Sequence, residues 1–365
     1  MGKQLVFLML ILVVSAVLFA LLAEGAVRVR QRLKHGSAAP LDHTFRIDPL
    51  SGLRVPAADK VPSQIKINSL GFRGPEIESP KPPGTIRLAF LGASTTYCAE
   101  ASGNDTTWPE LVWRAVSQAR PGARFDYLNA AVSGYSTASS LKNLDYRVRP
   151  LGPDVIVAYE GFNDLSYDTA ALARRQGLRA GARDEESWLS RHSMLWFLVE
   201  KNVTIWRLQT QDNARGQTLS PDFEELSRGF EQRLSELVAA SQQVAPVVAI
   251  ATMAPRLRRV QAPDEQRRAA VTARYYMPYL SIDAILDAYD AYNRAIRRVA
   301  ARRGAVLIEA SDAVAPDSTH YADSVHFTDA GSQSMAERVS SVLLSSRSFE
   351  RLLTTREKGA TTSRP

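Results

Sequence analysis

Cys98 is the single cysteine in a chain of 365 residues. One thiol excludes an internal disulfide and any cysteine-built zinc site, and it leaves the redox compartment open. The sequence carries no phosphate-binding glycine loop, no dinucleotide fingerprint and no cluster at metal-ligand spacing. No cofactor and no metal is therefore expected. Internal repeats are missing too. So are basic motifs interleaved with aromatics, although the net charge is +7. The positive excess is confined to residues 24–60, 254–268 and 346–365, whereas phosphate attraction needs a concentrated basic face. Nucleic acid is not expected as a partner, and nothing in the sequence speaks to the oligomeric state. What is present is an ordinary globular balance, 45% apolar and 23% charged. A mean hydropathy of −0.18 argues against a polytopic membrane protein. The length allows one large domain or two small ones, with a core that needs no staples.

The exception to that balance is the amino terminus. Residues 5–23 form an uncharged apolar run broken only by Ser15, about the length a helix needs to cross the hydrocarbon of a bilayer. A cleaved signal peptide would have a shorter apolar region and a small-residue cleavage site. The reading is an uncleaved anchor over residues 1–24. Its flanks conflict with export, because Arg28, Arg30, Arg32 and Lys34 follow the run while Lys3 precedes it. The positive-inside rule draws such a flank to the cytoplasm, yet long domains translocate largely regardless of charge.

Residues 25–84 contain eight prolines between 40 and 83 and read as a juxtamembrane arm, since proline punctuates rather than builds elements. A turn-rich piece, Asn68-Ser-Leu-Gly-Phe-Arg-Gly74, is expected to pack on the domain. Beyond it, strand and helix alternate. Strands are predicted at 86–91, 125–129, 155–159, 246–252 and 305–309. Helices are predicted at 107–119 and 139–146, and where apolar residues recur at three and four around Phe223–Leu237 and Ile285–Val299. Short apolar strands alternating with amphipathic helices predict a parallel sheet covered on both faces. Ligands of such sheets bind beyond the carboxyl ends of the strands. The domain is expected over 85–345, with a helical cap inserted at about 165–222 and a disordered tail at 346–365.

Four segments that follow strands carry chemistry. Gly92-Ala93-Ser94 places a serine at a strand-to-helix turn, where helix N–H groups face a developing anion; the residue can equally be a helix N-cap. Gly134 permits a positive φ or a close backbone approach, as any loop glycine can. Gly161-Phe162-Asn163-Asp164 offers a side-chain amide, or a local turn. Asp323-Ser-Val-His326 offers a base with an orienting carboxylate, or a surface pair. His320 is an alternative base. Tyr275, Tyr276 and Met277 can line a cleft or pack beneath the cap.

Taken together, these blocks resemble the SGNH or GDSL-type hydrolases, over about residues 85–345. The resemblance implies a flavodoxin-like, three-layer α/β/α sandwich and ester hydrolysis or acyl transfer. It implies Ser94 as nucleophile, His326 as base and Asp323 as its orienter. The backbone N–H groups of Ser94 and Gly134, with the Asn163 amide, would form the oxyanion hole. Ala93 stands where the family usually has Asp, which puts the positioning of Ser94 in question. The anchor-plus-arm layout looks like membrane-tethered bacterial members, several of which act on cell-surface glycans. The expectation is an esterase that removes small acyl groups from a carbohydrate, held in the inner membrane with its domain outside the cytoplasm. Its partners would be an acylated small molecule or glycan and, through the N-terminal helix, the membrane. Acyl transfer to a glycan with the same residues is the second expectation, and an inactive glycan-binding or assembly factor the third.

Overall fold

A computed structural model describes residues 2–35, 45–57, 64–178, 187–210 and 219–362. Helix α1 (Gly2–His35) is followed by a two-stranded antiparallel hairpin, β1 (Phe45–Ile47) and β2 (Arg54–Pro56). The domain begins with β3 (Thr85–Gly92), α2 (Ser94–Tyr97), α3 (Trp108–Ala119) and β4 (Arg124–Asn129). Then come α4 (Thr137–Asn143), β5 (Val155–Tyr159) and α5 (Phe162–Arg175). The cap region holds α6 (Trp188–His192) and α7 (Met194–Thr210). Next are α8 (Phe223–Gln242), β6 (Val247–Ala251), α9 (Pro263–Ala269) and α10 (Val271–Tyr276). The chain closes with α11 (Ile282–Arg303), β7 (Val306–Ile308), α12 (Asp329–Ser345) and α13 (Arg347–Thr362).

Five strands form one parallel sheet in the order β4-β3-β5-β6-β7. Every residue of β3, β5 and β6 is buried, so these strands need no polar face and read as continuous apolar runs. Their period of two divides the core. Ala89, Leu91, Ile156, Ala158, Val248 and Ile250 face α5, α8 and α11. Leu88, Phe90, Val155, Val157, Val247 and Ala249 face α3, α12 and α13. This is the expected three-layer sandwich. The chain reverses direction across the sheet between β3, which leads outward to β4, and β5, which starts the other half. In sheets of this kind that point, beyond the carboxyl ends of the strands, is where ligands bind.

The edges of the expected domains move. The anchor and arm do not part at residue 24, because α1 continues unbroken to His35. Within the arm, Asn68 Oδ1 accepts from the Leu70 and Phe72 N–H groups, and Phe72 enters the main core. The start of the expected cap, from 165, belongs to α5, which packs against α8; residues 179–186 and 211–218 of the cap lie outside the described residues. The expected disordered tail is helix α13. Phe349, Leu352 and Leu353 are buried at three- and four-residue spacing, and Phe349 stacks on Phe125. Its polar composition hid that short apolar stripe. Residues 363–365, and 36–44 and 58–63 of the arm, lie outside the described residues.

Candidate active site

Ser94 opens α2 immediately beyond the carboxyl end of β3. The first N–H groups of a helix have no intrahelical acceptor. Thr96 and Tyr97 N–H donate back to the Ala93 carbonyl, so the turn into the helix is closed by backbone alone. It is also crowded. A Cβ on Gly92 would come within 2.7 Å of the Tyr159 carbonyl and closer still to Thr96 Oγ1. Glycine is required there because β5 and α2 leave no volume for a side chain.

Ser94 Oγ lies 2.7 Å from His326 Nε2, across 232 residues of sequence. His326 Nδ1 lies 2.8 Å from Asp323 Oδ2. The other carboxylate oxygen, Oδ1, accepts from the Val325 and His326 N–H groups at 2.8 and 2.9 Å. The Asp323 carboxylate is thereby fixed by its own turn before it meets the ring. Burial pushes the Asp323 pKa up, but the hydrogen bond and charge of His326, with the two N–H groups, hold it below the ordinary carboxylate value. Burial pulls the His326 ring down, and the Asp323 hydrogen bond and charge reverse this, leaving it above the ordinary histidine value. An ordered imidazole between hydroxyl and carboxylate can take a proton from the hydroxyl and hold it.

Gly134 follows β4 and has φ +87°, a conformation that suits glycine. Asn163 Nδ2 donates to the Tyr135 carbonyl at 2.8 Å, which leaves the second amide hydrogen. Two further contacts pin the same loops: Tyr167 Oη donates to the Gly134 carbonyl at 2.9 Å, and Asp164 Oδ2 accepts from Thr137 N–H at 3.0 Å. Val132 N–H donates to the Gly92 carbonyl, two residues before Ser94. The loops after β3, β4 and β5 are thus tied to one another. Ser94, Asp323 and His326 are in direct contact, while Gly134 and Asn163 are joined through Tyr135 on the adjoining loops.

Beneath this shell Glu160 is fully buried, and one of its oxygens has no hydrogen-bond partner. Burial, with the charge of Asp164 nearby, pushes its pKa well above the ordinary carboxylate value. Asp164 is also raised by burial, although Thr137 and Arg233 bind it. These groups brace α5 and make no contact with the Ser94–His326 pair.

Other candidates fall elsewhere. His320 pairs with Asp317 at 2.8 Å. Tyr275 and Tyr276 lie on α10, which packs against α7, and Tyr276 is about half exposed. No group of histidine, cysteine and carboxylate side chains that could hold a metal occurs among the described residues.

Two arginines escaped the sequence reading. Arg54, on β2, donates to the Ser133 carbonyl at 3.2 Å, and its guanidinium lies over Gly134. Arg73 is buried at 1% exposure. It donates to the carbonyls of Tyr97 at 2.9 Å, Cys98 at 2.6 Å and Gly103 at 2.9 Å, and to Asn104 Oδ1 at 3.1 Å. It therefore clamps the far end of the short helix that Ser94 begins. The placement of Arg73 in a turn-rich segment was the available signal, but burial of a guanidinium is not visible in one sequence.

The profile of the GDSL-like Lipase/Acylhydrolase family matches residues 90–333. No curated protein matches the chain. Among solved structures, the chain is similar to an alpha/beta hydrolase enzyme, LAE5, from the metagenome of Lake Arreo, Spain, at 17% identity and a TM-score of 0.44. That match covers 70% of this chain and 94% of the other. It is similar also to Axe2, an acetylxylan esterase from Geobacillus stearothermophilus, at 16% identity and a TM-score of 0.42, covering 70% and 93%.

Proposed function

The chain belongs to the GDSL-like lipase/acylhydrolase family, and from that premise we propose that it is a membrane-anchored serine esterase acting through Ser94, His326 and Asp323. The observation that carries the reading is the 2.7 Å contact between Ser94 Oγ and His326 Nε2. Ser94 Oγ attacks the acyl carbonyl as His326 takes its proton. The charge that develops on the carbonyl oxygen is met by the N–H groups of Ser94 and Gly134 and by the second amide hydrogen of Asn163. Collapse breaks the ester bond, and His326 returns the proton to the departing alkoxide. Water then enters, loses a proton to His326 and attacks the acyl-enzyme. The acid leaves, and Ser94 regains its proton. Asp323 fixes the tautomer and balances the imidazolium charge throughout.

The family residue missing at Ala93 has no part in this proton path. The leaving alcohol is read as a carbohydrate hydroxyl and the acyl group as small, a reading supported by the anchored layout that the chain shares with glycan-directed members. The test is hydrolysis of acetylated sugars by the purified full chain in detergent. Release of acetate that disappears in Ser94→Ala supports esterase action. Acetylated acceptor sugar without free acetate would instead establish transfer, and an intact serine that a fluorophosphonate fails to label would establish a binding protein.

Anchoring rests on α1. It is the one helix among the described residues that is long and apolar enough to cross a membrane, over Gln4–Arg30, with a mean hydropathy of 3.2 in its most apolar 18 residues. We read the domain as lying on the periplasmic side of the inner membrane. A carboxyl-terminal alkaline phosphatase fusion should be active, and an inactive fusion with a fluorescent cytoplasmic counterpart would reverse the orientation.

A further inference from the structure

The cap region carries an apolar surface that the hydrolytic site does not use. On α7, Trp196, Val199, Val203 and Trp206 are exposed by 42%, 43%, 41% and 61%. Their spacing of three and four places them on one helical stripe. Beside them, Trp188 and Leu189 of α6 are exposed by 69% and 46%. Three of the five tryptophans of the chain are therefore on the outside of one small helical pair. The other two, Trp108 and Trp113, belong to the packed face of α3.

One residue of α1 caps the helix that carries this stripe. Glu24, the first charged residue after the apolar run, reaches the amino terminus of α7. Its carboxylate accepts from Met194 N–H at 3.0 Å, from Leu195 N–H at 2.8 Å and from Ser193 Oγ at 2.8 Å. A carboxylate at that position satisfies N–H groups a helix cannot satisfy itself and complements its dipole. Arg28, one turn on, donates to the His192 carbonyl at 3.3 Å. Ala23, Glu24 and Val27 lose exposure where α1 meets α7, while residues 4–22 of α1 are bare. Helix α7 thus begins at the level where α1 leaves its apolar stretch. That level is the headgroup layer of any bilayer α1 crosses, where indole rings with one apolar and one polar edge are favoured. The exposed Arg30 and Lys201 nearby suit anionic headgroups.

We propose that the α6–α7 face is a second membrane-contact surface, seated in the lipid headgroup layer beside α1. The proposal rests on the reading of α1 as a membrane span. It also bears on the site, because α7 packs on α9 and α10. The Thr272 and Ala273 N–H groups at the start of α10 donate to Ser324 Oγ, between Asp323 and His326. One layer of helix separates the lipid-facing stripe from the loop that carries the base, which sets the catalytic crevice close to the membrane surface.

Residues 1–35 contain no tryptophan, so tryptophan fluorescence reports on the domain and not on the anchor. The full chain would be reconstituted into phosphatidylglycerol–phosphatidylcholine vesicles in which one lipid carries brominated acyl chains. Flotation of the vesicles reports the anchor independently. The expected result is flotation together with quenching of roughly half of the tryptophan emission, as interfacial indoles contact the upper acyl chain. Trp188→Phe, Trp196→Phe and Trp206→Phe should each remove part of the quenching and leave flotation and soluble-ester hydrolysis unchanged. The triple variant should abolish quenching, and the single variants read the same effect if the triple one does not fold. Flotation without quenching overturns the proposal while leaving the anchor intact. Flotation without quenching, together with cross-linking between α7 helices, would assign the face to a second copy of the chain. Failure to float defeats the anchor itself, and the proposal with it.

Discussion

Two Asp-x-x-His turns lie six residues apart, and only one of them faces a serine. In both, the aspartate Oδ1 accepts the N–H groups two and three residues on, at 2.9 and 3.0 Å in the first turn and 2.8 and 2.9 Å in the second. In both, the histidine Nδ1 lies 2.8 Å from a carboxylate oxygen. At Asp317 that oxygen is the one already bound to the backbone, and the side chain is half exposed. At Asp323 the ring takes the free oxygen, and the pair is more enclosed. The first turn supports the second. The His320 carbonyl accepts from Thr328 N–H, and a Cβ on Gly331 would collide with it. Local sequence therefore builds the Asp–His pair twice, and the second of the two meets the remote Ser94 hydroxyl.

That contrast is open to direct attack. The largest effect is expected from Ser94→Ala and His326→Asn, each lowering kcat by roughly 10⁴–10⁶. His320→Asn should stay within about twofold of the parent, and an equal loss there in a kinetic assay would break the comparison. Asp323→Asn should cost about 10⁴ in kcat, since an amide favours the wrong tautomer, whereas Asp317→Asn should change melting temperature more than rate. Asn163→Ala is expected to lower kcat by roughly 10²–10³ through the lost oxyanion donor.

The pH profile gives a subtler test. In the proposed mechanism His326 must be neutral to take the Ser94 proton, so kcat/KM should rise with pH through a midpoint above the ordinary value of about 6.5. Stability runs the other way. With its pKa raised by folding, protonated His326 stabilises the fold below its unfolded value and loses that contribution as pH rises through the folded one. The lowered pKa of Asp323 contributes above its unfolded value, and that contribution is lost as pH falls through the folded one. His326→Asn should flatten the stability profile on this limb, measured as Tm against pH. Arg73→Met is expected to lower kcat by less than the site variants do, because the far end of the helix that Ser94 begins loses its clamp. It leaves three buried carbonyls without a charged donor, at about 1–3 kcal/mol for each, so Tm should fall clearly while KM for a soluble ester changes little.

The strands of the parallel sheet were legible because buried parallel strands are short apolar runs, and each of the five falls within a residue of its predicted span, whereas the short β1–β2 hairpin of the arm was not predicted. The site residues were legible as types at strand ends. What sequence could not supply was the long-range contact. Both histidines close an Asp-x-x-His turn in the sequence, and the 232-residue return to Ser94 is made by His326. Helix α13 was missed because its three buried residues sit among charges. Arg73 and Glu24 were missed because each acts on a segment distant in sequence, Arg73 on the end of α2 and Glu24 on the start of α7.

If α1 anchors the chain as proposed, the Arg73 clamp also determines which fragment could leave the membrane with its site intact. The nucleophile helix depends on a side chain that precedes the first sheet strand, so the functional border of the enzyme lies upstream of residue 64 and not at 85. A cut between α1 and the β1–β2 hairpin would release a domain with its clamp intact. A cut between Gly74 and Thr85 would leave Arg73 behind on the membrane stub and release a domain whose serine had lost its footing.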